Sequence, residues 1–168
     1  MTLVETHRDI ENVRHAPERG GAAVLPLARD LRRRVQAAAA VAATHADAVD
    51  AQARVPHEAL SAARAQRLLG ILVPAALGGE GASLSDVVDV CYALGRACGS
   101  SAMIFAMHQI MVACLVRHAR GSAWHAELLR RIAAEQLLLA SSTTEGQGGG
   151  DLRKSDCAVV TMASASAP

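Results

Sequence analysis

The chain has 168 residues, enough for one domain with a sizeable core, or for one domain and the beginning of another. A formal net charge of +1 excludes a global electrostatic attraction to nucleic acid or to an anionic membrane surface, so any partner must be argued from local features. Aromatic residues make up only 2% of a chain rich in Ala and Arg, a composition that favours helices but supplies few large core anchors, and a mainly α domain packed through Leu, Val, Ile, Met and Ala is expected.

Residues 1–23 mix charges with Pro17, Gly20 and Gly21 without a period and read as a mobile N-terminal arm; with no apolar h-region near Met1, they are not a secretory signal. From Val24, the spacing Val24, Leu27, Leu31, Val35 and the Ala-rich run to Val49 predict a long amphipathic helix. Arg29, Arg32, Arg33 and Arg34 in its first half read as a solvated face. Pro56 at a helix start, with Leu60, Ala63, Arg67 and Leu68 on one face, predicts a second helix ending near Gly70. An extended apolar run, Ile71-Leu72-Val73-Pro74, and a glycine-rich turn, Leu77-Gly78-Gly79-Glu80-Gly81, follow.

Ser83 three residues before Asp86 is a capping signal for a third helix with an apolar face of Val87, Val90, Cys91, Leu94 and Cys98 and an end at Gly99. Ser100 or Ser101 then caps a fourth. Ala102 to Val116 is apolar on nearly every side, which predicts the most buried helix of a bundle; it is interrupted by His108-Gln109 and closed by Arg117-His118, too short a run to cross a bilayer. His108 and Gln109 need partners if buried. Basic residues near Arg117 and Gly121 after them suit a helix C-terminus, and Ser122 opens a further helix with Leu128, Leu129, Ile132 and Ala133 inward and Arg130 and Arg131 outward. Cys91, Cys98, Cys114 and Cys157 form no CxxC pair and no metal spacing, and together with the N-terminus they place the expected compartment in the reducing cytoplasm. No Ser/His/Asp set, zinc motif, Walker loop or strand-borne GxGxxG is present.

The stretch Ser141-Ser142-Thr143-Thr144-Glu145-Gly146-Gln147-Gly148-Gly149-Gly150-Asp151 ends the helical pattern. Leu137 to Ala140 lead into four hydroxyl residues, an acid and four glycines within five positions. Composition alone fits a flexible linker as well as a loop whose backbone approaches a phosphate-bearing or heterocyclic ligand. After Asp151, residues 156–160 read as one β-strand.

Thr144-Glu145-Gly146-Gln147-Gly148-Gly149-Gly150-Asp151 resembles the Thr-Glu-Pro-x-Ala-Gly-Ser-Asp signature of the acyl-CoA dehydrogenase family, in register at Thr144, Glu145, Gly149 and Asp151; Gly146 stands for the proline and Gly150 for the serine. The helix order and the Val73-Pro74 and Gly78-Gly79 segment are similar to that family too. The resemblance implies a mainly α N-terminal helical bundle over residues 24–140, with residues 141–168 forming the flavin-loop motif and the first strand of a middle β-domain. It implies an FAD-dependent oxidoreductase that removes an α-proton from an acyl-CoA and passes the β-hydride to the flavin. Ser141, Thr143, Thr144, Gly149 and Gly150 are then cofactor contacts, Thr144 at the flavin ring, with Gly150 and His108 on the substrate side. Full-length relatives carry the catalytic Glu in a C-terminal domain, so no catalytic residue is expected within these residues. Such relatives form homotetramers and can use an electron-transfer partner. Flavin-dependent monooxygenases share the architecture, so this activity, with FMN as the alternative cofactor, and a non-catalytic helical module are the other two readings.

Overall fold

The computed structural model describes residues 29–118 and 121–141. The N-terminal arm, the strand expected at 156–160, and Thr143, Thr144, Gly149 and Gly150 lie outside the described residues. Among the described residues five α-helices follow one another: α1 (Arg29–Ala51), α2 (His57–Ala65), α3 (Leu84–Ala97), α4 (Gly99–His118) and α5 (Ala123–Glu135), with a short 3-10 turn at Ala75–Leu77. Helix α1 packs on α2 and α3, α3 on α4, and α5 on α4 and the 3-10 turn. The mainly α architecture expected from the sequence is the one observed.

Local chemistry sets most of the helix boundaries. At the start of α3 the Ser83 hydroxyl oxygen accepts the Asp86 amide hydrogen at 3.2 Å, while the Asp86 carboxylate accepts the Ser83 amide hydrogen at 2.8 Å, a complete capping box. Ser122 caps α5 through the His125 amide. Gly78 and Gly81, at φ of 85° and 62°, let the chain reverse after the 3-10 turn. Leu31, Val35, Ala38, Ala63, Val87, Val90, Leu94 and Phe105 form the main core together with Leu68, Leu69 and Ile71 of the α2–α3 connection. A second core joins Val73, Val112, Leu129, Ile132 and Ala133.

Several sequence expectations are corrected. Helix α2 stops at Ala65 rather than near Gly70, and Arg67 adopts φ of 53°. Leu68, Leu69 and Ile71 are all fully buried, and successive residues on a helix point about 100° apart. Leaving the helix lets the chain thread all three into the core. Residues 70–73 are a turn, closed by the Val73 amide donating to the Gly70 carbonyl at 3.2 Å, and not an extended run. Helix α4 begins at Gly99 rather than at a serine cap, because a single extended residue, Cys98, separates it from α3. Nor is α4 buried all round: Met103, Met107 and Ile110 are exposed, while Ser101, Phe105, His108, Gln109 and Val112 are buried. By length and composition it is apolar enough to cross a bilayer, yet its buried face is fixed within the two cores and by hydrogen bonds to the α2–α3 connection. Arg34 is not part of a solvated face. Its guanidinium donates to Glu80 Oε1 at 2.8 Å and to the Gln66 carbonyl at 3.0 Å, and it pairs with Asp30, so it ties α1 to both ends of the α2–α3 connection.

Candidate functional site

The α2–α3 connection brings backbone polar groups into the core without regular secondary structure to satisfy them, and buried carbonyls and amides need partners. Three polar side chains supply them. His108 Nε2 donates to the Leu69 carbonyl at 2.8 Å, and Gln109 Nε2 donates to the Leu68 and Leu69 carbonyls at 3.2 and 3.3 Å. From the end of α5, Gln136 Oε1 accepts the Leu69 amide hydrogen at 3.0 Å. Gln136 Nε2 and Arg67 both donate to the Ala133 carbonyl at 2.8 Å, so the last turn of α5 is capped from the same connection. The chain approaches so closely there that a Cβ on Gly70 would lie 2.9 Å from Ala133 Cα.

Gln136 takes a left-handed conformation, φ 55° and ψ 50°, and turns the chain out of α5. The next residues carry no helix. Leu138 packs against the main core, whereas Leu137 and Leu139 pack against the second. This alternation between two sides sets an extended segment between the two cores. The Leu139 amide donates to His108 Nδ1 at 3.0 Å, so the segment that delivers the chain to Ser141 is held by the imidazole that also holds Leu69. Ala140 and Ser141 emerge exposed.

The two partners settle the tautomer of His108. A carbonyl can only accept, so Nε2 carries the proton, and Nδ1 accepts from Leu139. The ring is fully buried, and burial holds its pKa below the ordinary imidazole value of 6.5, the hydrogen bond to Leu69 opposing in part. The sequence expectation gave His108 two roles, a satisfied core histidine or a wall of the substrate pocket. Its ring is buried and satisfied on both nitrogens, the surroundings of a core histidine. A cavity of about 360 Å³ opens between Leu72, Pro74, Ala82, Leu84, Val116 and Arg117.

A neutral ring that is favoured by folding links stability to pH. The unfolded histidine takes up its proton first as pH falls, so the stability that this group contributes is complete above about 6.5 and is lost as pH drops through the lowered folded value. The expected result is a thermal midpoint that falls more steeply between about pH 7 and about pH 5 in the wild-type chain than in His108→Asn, which carries no titrating group there. Parallel slopes in the two proteins would show that His108 does not carry this linkage.

Of the residues assigned to a cofactor from sequence, Ser141 alone lies among those described, and it stands at the exposed end of the Leu137–Leu139 wedge. Sequence reading missed Gln136, Arg67 and Leu69, the groups that set the direction of the chain toward Ser141. The signal available was the pair His108-Gln109 inside an otherwise apolar helix, which announced buried backbone needing partners without saying whose. No three His, Cys, Asp or Glu side chains cluster as metal ligands among the described residues.

Residues 27–136 match the family described as "Acyl-CoA dehydrogenase, N-terminal domain", a match that ends just before the Leu137–Leu139 wedge and thus rests on the helices and not on the hydroxyl- and glycine-rich motif. The chain is 39% identical over 93 residues to isobutylamine N-hydroxylase of Streptomyces viridifaciens, an alignment covering 53% of this chain and 25% of that protein. No solved structure matches. The chain thus spans about a quarter of the length of the curated relative that it matches. The helix order, the capped turns and the match across most of the described residues lead to one assignment: this chain belongs to the acyl-CoA dehydrogenase family and contains its N-terminal helical domain.

Proposed function

We propose that these residues are the N-terminal part of a flavin-dependent monooxygenase of this family, one that acts on a small amine. The observation that carries this reading is the 39% identity to a protein named as an amine N-hydroxylase. The motif is consistent with it: Gly150 stands where the acyl-CoA dehydrogenase signature has Ser, removing a hydroxyl from the end of the segment that meets the acyl thioester in the resembled family. Bound flavin would supply the redox chemistry, taking part in oxygen activation in the reduced form. The protein's part is to bind and orient. Thr144 is the contact to the flavin ring, Ser141, Thr143, Gly149 and Gly150 line the cofactor, and the half-buried wedge Leu137–Leu139 fixes where that segment begins. The exposed apolar side chains Leu84, Val88 and Tyr92 on α3, and Met103, Met107 and Ile110 on α4, are surface on which further protein would pack.

The second reading, α,β-dehydrogenation of an acyl-CoA with FAD, is favoured by the register of Thr144, Glu145, Gly149 and Asp151 with the dehydrogenase signature. The two are separated in the protein that carries this domain by supplying either reduced flavin, oxygen and a short-chain primary amine, or an acyl-CoA under anaerobic conditions. Hydroxylamine formation in the first mixture supports the monooxygenase; bleaching of the flavin by the acyl-CoA in the second refutes it in favour of the dehydrogenase. Both readings expect Thr144→Val to weaken flavin binding by about fivefold, the loss of one neutral hydrogen bond worth about 1 kcal/mol. Titration of flavin fluorescence with the protein that carries this domain measures it, and an unchanged affinity would remove Thr144 from the site.

A further inference from the structure

We propose that His108 is a positioning residue for the flavin segment: by accepting the Leu139 amide hydrogen it fixes where the chain leaves the helical domain at Ser141. This inference rests on the flavin reading above. Among the described residues, 137–141 make one hydrogen bond to the helices, Leu139 N–H to His108 Nδ1 at 3.0 Å, and otherwise hold by the packing of three leucines. Leucine packing resists withdrawal of the segment but leaves sliding along its length less constrained, because apolar contact is non-directional. A hydrogen bond to a ring whose other nitrogen is fixed on Leu69 is directional, and it sets the register of the segment. The ring is fully buried and lies in the core of the domain, so it has little freedom to follow a shifted segment. Helix α4, the α2–α3 connection and the exit segment are therefore joined at one imidazole, two residues before Ser141.

The two nitrogens can be separated by substitution. Asn Oδ1 lies as many bonds from Cα as His Nδ1, so His108→Asn retains the acceptor for Leu139 and loses the donor to Leu69. Gln Nε2 lies as many bonds from Cα as His Nε2, so His108→Gln retains the donor to Leu69 and loses the acceptor for Leu139. Both variants lose one buried hydrogen bond and the ring, and a purely structural role predicts equal consequences. A positioning role does not.

The experiment titrates FAD and FMN with the protein that carries this domain, as wild type, His108→Asn and His108→Gln, and follows Leu139 amide exchange by NMR in each. The expected result is flavin affinity near wild type in His108→Asn, affinity about fivefold weaker in His108→Gln, and faster Leu139 exchange in His108→Gln alone. Leu139→Pro, which removes the amide hydrogen from the other side, is expected to weaken flavin as His108→Gln does, and it keeps the test open if a His108 variant does not fold. Equal affinity in the folded variants, or equal losses in both, overturns the positioning role while leaving flavin binding intact. A wild-type protein carrying this domain that takes up neither flavin at millimolar concentration overturns the flavin reading and the positioning role together.

Discussion

Phe105→Ala is expected to destabilise the helical domain by about 3–5 kcal/mol, the cost of losing a buried aromatic ring and leaving the cavity behind. Phe105 is the one phenylalanine in the chain, 1% exposed, and the largest side chain in the main core. It projects from α4 into a core built from three other helices and the α2–α3 connection, and the surrounding residues are mostly Ala, Val and Leu with little reach to close a gap. With so few aromatic anchors, the transfer and cavity terms fall on one position. A typical domain is stable by only about 5–15 kcal/mol, so the variant should unfold with a midpoint lower by roughly 15 °C or more, measured by circular dichroism at 222 nm. A shift of a few degrees would mean that the core collapses around the gap, and would contradict the packing described for α4.

Gly79→Ala should be the second most damaging substitution, at about 3 kcal/mol, and for a different reason. A Cβ at this position would stand 2.1 Å from the Val73 carbonyl oxygen and 2.5 Å from Val73 Cβ. The obstacle is backbone, which cannot rotate away. The same carbonyl accepts the Gly81 amide hydrogen at 2.8 Å, so relief of the clash would also break the bond that closes this loop. Overpacking of a tight site costs about 1–3 kcal/mol, and loss of the hydrogen bond adds about 1. Gly78→Ala is the informative comparison. Gly78 has φ of 85°, but an added Cβ there would meet only Ala133 Cβ, at 4.0 Å, so its cost is conformational strain of about 1–2 kcal/mol. Equal urea midpoints for the two variants would show that steric contact with Val73 does not control the loop.

Both substitutions act on features that differ in how far the sequence discloses them. The turn at Leu77-Gly78-Gly79 was legible, since glycines after Pro74 announce a reversal. Which glycine is irreplaceable was not, because Gly78 answers to its own backbone angle and Gly79 to a neighbour folded back on it. The same division runs through α4. Its length and apolar character were plain, but a run of Met, Ile and Val carries no mark of which face will be covered. Met103 and Phe105 look equally suited to a core, and only Phe105 is in one.

The candidate site shows the division most clearly. From the sequence alone came the helices, their Ser83 and Ser122 caps, and the change at Ser141 from apolar periodicity to hydroxyls and glycines, since each is a property of residues within a turn or two of one another. Tertiary structure decided what His108, Arg34 and Gln136 do. His108 finds its partners 39 and 31 residues away, Arg34 meets Glu80 at a separation of 46, and Gln136 meets Leu69 at 67. Such pairings follow from how the helices cross and where the α2–α3 connection is buried. A polar residue in an apolar helix reveals that a buried hydrogen bond must be made, but the partner is chosen by the packing of the whole domain, because burial of the connecting backbone creates the unmet donors and acceptors in the first place.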